Sequence, residues 1–435
     1  MRFTVFVFFC LPLLSACTPD AGPSEQSSAV VFEGARLIIG DDSQPIENSV
    51  FVVEGGRLSQ VGVAGAVTVP DSAARVNLAG KTVMPTLIDL HVHLGYRDIE
   101  GMTDVPANFT RDNVIDHLRR SAYYGAAVVL SMGLDRGDIA FELRDNPVPG
   151  AARLLTAGPG IARPNASTGA TDRRDIAYGV DTESEARAAV RELATSNVDV
   201  VKIWVDDRGG TVEKLTPELY DAIIEEADAQ GLQVAAHIFN LEDAKGLLRA
   251  NLHGFAHGVR DLPVDAEFME LLAALPDLYL IPNLPERGPR TDDDLRFAAE
   301  TLPAEEIEVM RAAQATFEID PAELFETQAG NLLAMHNAGV TIGFGTDSSG
   351  AGWEAHEELF DMVEAGLSPA EVIVAATSTS AEIIGLDDLG TLEVGKSADF
   401  IVLNSNPLDD IANTRDIAGV YLRGESVDRD GLRQQ

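Results

Sequence analysis

Two patterns of apolar positions divide this chain. In residues 29–83, short runs that alternate apolar and polar side chains are separated by turn residues, as where Ser49–Val53 is followed by Glu54-Gly55-Gly56. Residues 400–403 and 419–422 return to the same pattern. Short alternating runs bounded by glycine predict β-strands. Two β-rich ends around a different middle predict one small β-sandwich-like domain formed by both chain ends.

The middle of the chain, residues 84–386, alternates apolar strand-like runs with amphipathic helices. Thr182 and Ser368 begin capping-box patterns, and Thr216 precedes a proline at a first helical position. Eight strands are predicted: Thr86–His93, Ala126–Met132, Arg153–Ala157, Asp199–Val205, Gln233–Ile238, Gly254–His257, Leu278–Pro282 and Thr341–Thr346.

Alternating strands and helices over about 300 residues have the size and rhythm of an α/β fold of the (β/α)8 TIM-barrel type. A doubly wound open sheet is the rival fold. It would require a glycine-rich phosphate turn after the first strand, and Leu87–His91 contains no glycine. The predicted segments are a lipoprotein signal peptide (1–16), a tether (17–28), the small β domain (29–83 and 387–435) and the barrel (84–386).

Composition narrows the classes of partner. The 435-residue chain is 45% hydrophobic and carries 70 acidic against 32 basic residues, a formal net charge of −38. Such a surface repels nucleic acid and anionic lipid, so we expect no nucleic-acid partner and no polybasic membrane attachment. A homo-oligomer is compatible with this composition, and the sequence leaves the oligomeric state open.

The N-terminal segment predicts export. Met1-Arg2 is followed by a nearly all-apolar run from Phe3 to Leu14, which is too short to cross a bilayer but suits a signal peptide. Leu14-Ser15-Ala16-Cys17 resembles the lipobox of bacterial lipoproteins. We therefore predict that Cys17 is lipidated and that the protein faces the periplasm or cell exterior, held to a bacterial membrane through this anchor alone. An ordinary secretory signal is the alternative.

Polar side chains stand where predicted barrel strands end. His91 and His93 close the first strand, and their spacing of two places both on one face. Reactive groups of TIM barrels gather at this end of the strands. Imidazoles and carboxylates suit zinc or a similar divalent ion. Six residues are therefore predicted to form a metal centre: His91, His93, Lys202, His237, His257 and Asp347.

Lys202 is the unexpected member of this set, because a charged ammonium repels metal ions. One interpretation is a buried lysine paired with a carboxylate, Asp206 or Asp207. The other is that burial keeps the amine neutral and nucleophilic. The amine could then add carbon dioxide and become an anionic carbamate that bridges two metals.

These motifs resemble the amidohydrolase superfamily from Ala29 onward. The resemblance rests on Met84–Leu94, on Lys202, His237 and His257, on Gly343–Asp347 and on Leu392–Asp399. Within the superfamily the chain is similar to the branch of prolidase-like dipeptidases, Xaa-Arg/Lys carboxypeptidases and ochratoxinase-type amidases. It departs from that branch around Ile161–Thr171, in a loop that shapes the pocket.

The resemblance implies two divalent ions, most plausibly zinc, and a role for each ligand. His91, His93 and Asp347 would hold the more buried ion, and His237 and His257 the more exposed one. Lys202, carbamylated by carbon dioxide, would bridge both. Two ions lower the pKa of a bridging water and give hydroxide at ordinary pH. Asp347 would accept its proton and deliver it to the leaving nitrogen.

The predicted activity is hydrolysis of a C–N amide bond in a dipeptide or N-acyl amino acid. An arginine in a loop after a strand could hold a substrate carboxylate, and aromatic side chains could form a pocket wall. Six residues are candidates for substrate binding: Tyr96, Arg163, Arg208, Arg260, Trp353 and His356.

Three alternatives stay open at this point. A lactonase or esterase of the same fold would use the same hydroxide. A one-metal deaminase or imidazolonepropionase-like enzyme would have no use for a carbamate at Lys202. A non-catalytic binding lipoprotein would have no need of all six ligand candidates.

Overall fold

A computed structural model describes residues 29–285, 291–313 and 321–433, with the side chains of 321–323 excepted. The predicted signal peptide, the tether and the lipidation site Cys17 lie outside the described residues. Within the described ranges, the model contains no helix of the length and apolarity that a bilayer crossing requires.

Strands occur throughout the described chain. Val201–Val205 and Val234–Ile238 are buried at every position, as strands covered on both faces should be. In chain order the strands are β1 (Val30–Glu33), β2 (Arg36–Leu37), β3 (Ser49–Glu54), β4 (Arg57–Val63), β5 (Ala74–Asn77), β6 (Thr82–Pro85), β7 (Leu87–Val92), β8 (Arg97–Asp98), β9 (Thr103–Asp104), β10 (Ala126–Ser131), β11 (Arg153–Thr156), β12 (Ile161–Ala162), β13 (Tyr178–Gly179), β14 (Val201–Val205), β15 (Val234–Ile238), β16 (Gly254–Phe255), β17 (Tyr279–Leu280), β18 (Thr341–Ile342), β19 (Phe400–Leu403), β20 (Ile417–Leu422) and β21 (Glu425–Ser426).

Helices separate most of the central strands. Thr182 and Ser368 cap their helices with the predicted reciprocal bonds to Glu185 and Glu371, and Pro217 opens α4. The helices are α1 (Arg111–Tyr123), α2 (Ile139–Asp145), α3 (Glu183–Thr195), α4 (Pro217–Gln230), α5 (Leu241–Arg249), α6 (Ala266–Leu272), α7 (Asp292–Ala298), α8 (Ala304–Ala313), α9 (Pro321–Asn337), α10 (Ala355–Glu364), α11 (Pro369–Val374) and α12 (Ser380–Ile383), with a π-helical turn at Ala375–Thr379.

The two ends of the chain share a sheet, as predicted. Strand β6 pairs in parallel with β2 and antiparallel with β19, and the five-stranded order is β2-β6-β19-β20-β21. A second sheet, β4-β3-β1-β5, comes from the N-terminal end alone. The rings of Phe32, Phe51 and Phe400 pack with centroids 5.0–5.3 Å apart, which joins the two sheets through an aromatic core.

The central strands run parallel to one another. All eight predicted segments contain a strand, each somewhat shorter than predicted, in a three-stranded sheet (β11-β10-β7) and a seven-stranded one (β13-β12-β14-β15-β16-β17-β18). The amide of Leu90 donates to Phe344 at 2.9 Å and that of Asp199 donates to Thr156 at 2.9 Å, so backbone hydrogen bonds link the two sheets. This part of the chain is an α/β structure of parallel strands.

Candidate metal centre

Three side chains meet where β7 ends. His91 and His93 point the same way because they are two positions apart in extended chain. The Nε2 atoms of the two rings are 3.3 Å apart, and Oδ1 of Asp347 lies 3.3 Å from His91 Nε2 and 3.2 Å from His93 Nε2. Two imidazole nitrogens and a carboxylate oxygen that face one another suit a divalent cation. We name this group the His91 half.

Backbone bonds bring Asp347 to the end of β7. Its amide donates to the carbonyl of His91 at 2.7 Å, and its φ of 55° lies in the left-handed region that aspartate tolerates. The buried carboxyl of Asp89 joins the same segments, because it accepts from the hydroxyl of Thr346 at 2.8 Å and from the amide of His91 at 3.1 Å. Burial raises the pKa of Asp89 to about 7.

Lys202 is fully buried inside β14. Its Nζ has no hydrogen-bond partner among the described residues and lies 5.5 Å from the centre of the Trp204 ring. Burial lowers the pKa of Lys202 to about 7. The pairing with Asp206 or Asp207 is not observed, because Asp206 binds His237 and Arg208, and Asp207 accepts from the amide of Gly210.

His237 and His257 lie against each other beside Lys202. Their ring centres are 4.3 Å apart, and the ring of His257 is 5.8 Å from that of His91. His257 has a φ of 133°, a backbone strain that costs on the order of 1–3 kcal/mol and is typical of functional positions. We name Lys202, His237 and His257 the Lys202 half. The six predicted ligands thus lie close together, and among the described residues those of the His91 half have candidate ligand atoms within 4.8 Å of one another.

His237 has a partner that fixes its tautomer. Its Nε2 donates to Oδ2 of Asp206 at 3.1 Å, which leaves the lone pair of Nδ1 free to bind a metal. Although burial acts to raise the pKa of Asp206, the bond from His237 and the nearby Arg208 lower it to about 2. Asp206 is therefore an anion at neutral pH.

The buried atoms of this centre fit a metal ion. Nζ of Lys202 and Nδ1 of His257 are buried and have no partner among the described residues. Buried polar atoms are normally satisfied, so such atoms beside a carboxylate and other imidazoles indicate a binding site. Side-chain exposure does not rank the two halves, since it ranges from 1% for His91 to 36% for Asp347 and is 9% for His237.

Two of the three candidate arginines lie near the centre. Arg260 is largely buried, and its charge acts on Lys202 and Asp347, while its Nε has no partner in the described part of the chain. Arg208 binds Asp206 at 3.0 Å and the carbonyl of Ser167 at 2.6 Å.

Arg163 lies elsewhere. It pairs with Asp181 and Glu213 and donates to the carbonyl of Val180, so its guanidinium is already engaged. The structure therefore favours Arg260 and Arg208 over Arg163 as ligands of an anionic substrate group.

The remaining three substrate candidates are buried away from solvent. The hydroxyl of Tyr96 donates to the carbonyl of Leu134, and Tyr96 is 2% exposed. Trp353, 3% exposed, lies in an apolar cluster with Tyr124. His356 uses one ring nitrogen on the carbonyl of Tyr124 at 2.8 Å and the other on the hydroxyl of Thr414 at 3.0 Å. Each of these three side chains is therefore packed against other parts of the described chain, and a role in substrate binding stays a prediction.

Three polar residues of the site were missed by the sequence analysis or given another role there. Asp89 has the same two-residue spacing as His91 and His93, so the period of the strand could have identified it. Asn283, which directly follows a predicted strand, accepts from Nδ1 of His91 at 2.9 Å. Asp206 was considered only as a partner of Lys202, and in the structure its carboxylate accepts a hydrogen bond from His237 instead.

The chain is similar to several known proteins. A model of the amidohydrolase family matches residues 82–427. The ochratoxinase of Aspergillus niger is 26% identical over 92% of this chain and 85% of its own length. The imidazolonepropionase of Deinococcus radiodurans is 26% identical over 94% of this chain and 97% of its own length. A solved Xaa-Pro dipeptidase with methionine bound in its active site is 25% identical, has a TM-score of 0.72, and covers 92% of this chain and 99% of its own.

Proposed function

This chain belongs to the amidohydrolase family, and from that premise we propose that it is a two-metal hydrolase that cleaves the amide bond of a dipeptide or N-acyl amino acid. The observation that carries the proposal is that the buried, unpartnered amine of Lys202 lies close enough to His91 and Asp347 for their charges to interact. Relatives described as an ochratoxinase and an Xaa-Pro dipeptidase support an amide substrate.

Six residues would hold the ions. The His91 half offers two ring nitrogens and a carboxylate, and the Lys202 half offers two more imidazoles. Lys202, neutral as a free amine, would add carbon dioxide with loss of one proton and become an anionic carbamate with two oxygens. Bound divalent ions, most plausibly zinc, would supply Lewis acidity and lower the pKa of water.

Asp347 is placed to move the proton of the reaction. Its Oδ1 lies 3.2–3.3 Å from the Nε2 atoms of His91 and His93, and its side chain is partly exposed. Although desolvation opposes it, the nearby imidazoles lower the pKa of Asp347 well below its usual value. An ionised Asp347 would accept a proton from the attacking water and pass it to the leaving nitrogen.

Arg260 would hold the carboxylate of the substrate. Its guanidinium lies close enough to Asp347 for their charges to interact, and its Nε has no partner in the described ranges. A guanidinium can bind a carboxylate through two parallel hydrogen bonds, which would orient the amide beside Asp347. Arg208 lies next to it but is already bonded to Asp206.

We also propose that the parallel strands close into an eight-stranded barrel. The backbone bonds from Leu90 to Phe344 and from His93 to Ser348 support contact between the first and last strands. In such a barrel the ends of β7, β14, β15 and β16 meet at one face, which is where enzymes of this architecture carry their chemistry.

A one-metal enzyme is the second candidate function. The imidazolonepropionase relative favours it, and so does the His91 half, which forms a three-ligand group without Lys202. Elemental analysis of fully active protein separates the two candidates. Two ions per chain support the proposal, and one tightly held ion in fully active protein supports the alternative.

The function is tested with a substrate panel on zinc-reconstituted protein. N-acyl amino acids and dipeptides should be cleaved, with Asp347→Asn as the inactive control. Faster cleavage of lactones or aryl esters than of every amide would make the protein an esterase of the same fold. If the protein binds compounds of the panel but hydrolyses none of them, the result would favour a non-catalytic binding protein.

We propose further that the enzyme is exported and held to a membrane by lipid on Cys17. The lipobox-like Leu14–Cys17 supports this location. The Cys17→Ser variant should lose its membrane fraction or remain unprocessed, which cell fractionation and intact-mass measurement detect. Wild-type chain found unprocessed in the cytosol would contradict the proposal.

A further inference from the structure

Asn283 is not one of the six predicted ligands, but its side chain contacts one of them, His91. Asn283 follows β17, is 3% exposed, and places Oδ1 2.9 Å from Nδ1 of His91. The other ring nitrogen of His91, Nε2, faces Asp347 and His93. Asn283 therefore touches the side of His91 that faces away from the centre.

This contact decides which nitrogen of His91 carries the proton. An amide oxygen accepts hydrogen bonds and cannot donate, so Nδ1 must hold the proton and Nε2 keeps its lone pair. A metal requires that lone pair. The opposite amide orientation would present the NH2 group to Nδ1, put the proton on Nε2 and block the ligand. In the structure it is Oδ1, and not the NH2 group, that faces Nδ1 of His91, at 2.9 Å.

A buried carboxyl holds the backbone that carries Asn283. Glu358 on α10 is 4% exposed and accepts from the amide of Leu284, the residue after Asn283, at 2.9 Å. Asn283 has a φ of 46°, in the left-handed region that asparagine adopts more readily than most residues. The residue type thus suits both the backbone turn and the bond to His91.

We propose that Asn283 is a positioning residue, which locks His91 in the tautomer that binds metal, and that Glu358 holds the Asn283 backbone in place. Asn283 acts through His91 and touches neither substrate nor metal. The inference rests on the proposed metal centre, since the tautomer matters only where His91 is a ligand.

Two substitutions at Asn283 separate this role from a packing role. Asn283→Gly keeps the left-handed backbone but removes the acceptor, so affinity for zinc in competition with a chromogenic chelator should fall about 10- to 100-fold. Asn283→Asp keeps the acceptor and should bind zinc as tightly as wild type or more tightly. Equal zinc affinity for Asn283→Gly and wild type would overturn the proposal.

Asn331 provides the matched control. It is also 3% exposed and makes three hydrogen bonds, to the backbone of Val259, Leu262 and Val264, and none of the three is to a predicted metal ligand. Asn331→Ala should lower the melting temperature and leave zinc affinity at the wild-type value. A fall in zinc affinity equal to that of Asn283→Gly would mean that general loosening explains both, which overturns the proposal.

A tautomer measurement on the wild-type chain does not depend on any variant folding. Long-range 1H–15N spectra should show the proton of His91 on Nδ1, both before and after zinc is added. A proton on Nε2 in the zinc-free chain would overturn the inference. Absence of zinc binding by the wild type would instead refute the proposed metal centre on which the inference rests.

Discussion

The two halves of the candidate metal centre differ in how far the protein alone completes them. In the His91 half, the carboxylate of Asp347 faces two imidazoles at 3.2–3.3 Å. In the Lys202 half, two imidazoles lie near an amine, and that amine has no hydrogen-bond partner among the described residues. The nearby carboxylate of Asp206 is already bonded to His237 and Arg208.

This difference indicates that the Lys202 half is the one that needs an added negative charge to bind a cation. A cation in the His91 half meets the charge of Asp347, whereas one in the Lys202 half meets Lys202 with Arg208 and Arg260 nearby. A carbamate on Lys202 would supply this charge, because a neutral amine becomes an anion at the same place. The comparison therefore predicts that variants of the two halves fail in different ways.

Lys202→Ala should have the largest effect. The transition state would lose several kcal/mol of electrostatic stabilisation, so kcat should fall about 1,000-fold or more. Added zinc with formate or acetate should restore part of the activity by filling the vacated space. Steady-state kinetics, circular dichroism and zinc content check this result.

Lys202→Arg is the matched variant, because its guanidinium keeps a charge and forms no carbamate. It should be as inactive as Lys202→Ala and should not respond to formate. A fully active Lys202→Ala enzyme, or a free ammonium at Lys202 in zinc-loaded protein, would remove the distinction between the halves.

Arg260→Ala should have the next largest effect, on substrates with a free carboxylate. Loss of a charge-assisted contact costs about 2–3 kcal/mol, or roughly 30- to 150-fold in kcat/KM. Arg163→Ala is the control and should change kcat/KM little, since Arg163 is paired with Asp181 and Glu213. The assignment of Arg260 is wrong if Arg260→Ala lowers kcat/KM as much for a substrate with an amidated carboxylate as for the free acid.

Asp206→Asn should act on the Lys202 half alone. The amide keeps an acceptor for His237 but removes the charge, so one of two zinc ions should bind about 10- to 100-fold more weakly. Asp207→Asn is the matched neighbour, because Asp207 binds the amide of Gly210 and not a ligand. Chelator competition measures both ions, and equal weakening of both would show that the halves are not independent.

His356→Asn should have the smallest effect on activity. His356 bonds Tyr124 and Thr414 in the core, so its loss should cost about 1–3 kcal/mol of folding free energy and leave kcat/KM close to wild type. His336→Asn, at a partly exposed ion pair with Glu371, should cost less than about 0.5 kcal/mol. Denaturant unfolding and steady-state kinetics test both variants. A large rise in KM for His356→Asn would instead indicate that His356 contacts the substrate.

The sequence predicts elements well where local chemistry decides. The reciprocal bonds at Thr182 and Ser368 depend on residues three positions apart, and the direction of His91 and His93 depends on a period of two. The position of the candidate histidines near strand ends follows from the pattern of strands along the chain. The six candidates are close to one another in the structure, and their role as metal ligands stays a prediction.

Long-range packing could not be predicted in the same way. His356 was expected near the pocket because it is close to Asp347 in sequence. The intervening chain turns at Gly350 and Gly352, with φ of 96° and 85°, and runs beside α1. Trp353 then packs with residues of α7, whose position no local pattern reveals. The engagement of Arg163 by two carboxylates likewise depends on loops far apart in sequence.

The sheet shared by the two chain ends sets an order for biosynthesis. Strand β6 lies directly before β7, which carries His91, and its antiparallel partner β19 is made after every predicted metal ligand. Until Phe400–Leu403 has left the ribosome, β6 has an unpaired edge, which is a template for aggregation. Completion of the sheet beside β7 therefore waits for β19. A chain cut short before residue 400 would keep every predicted metal ligand and still lack the strand that pairs with β6.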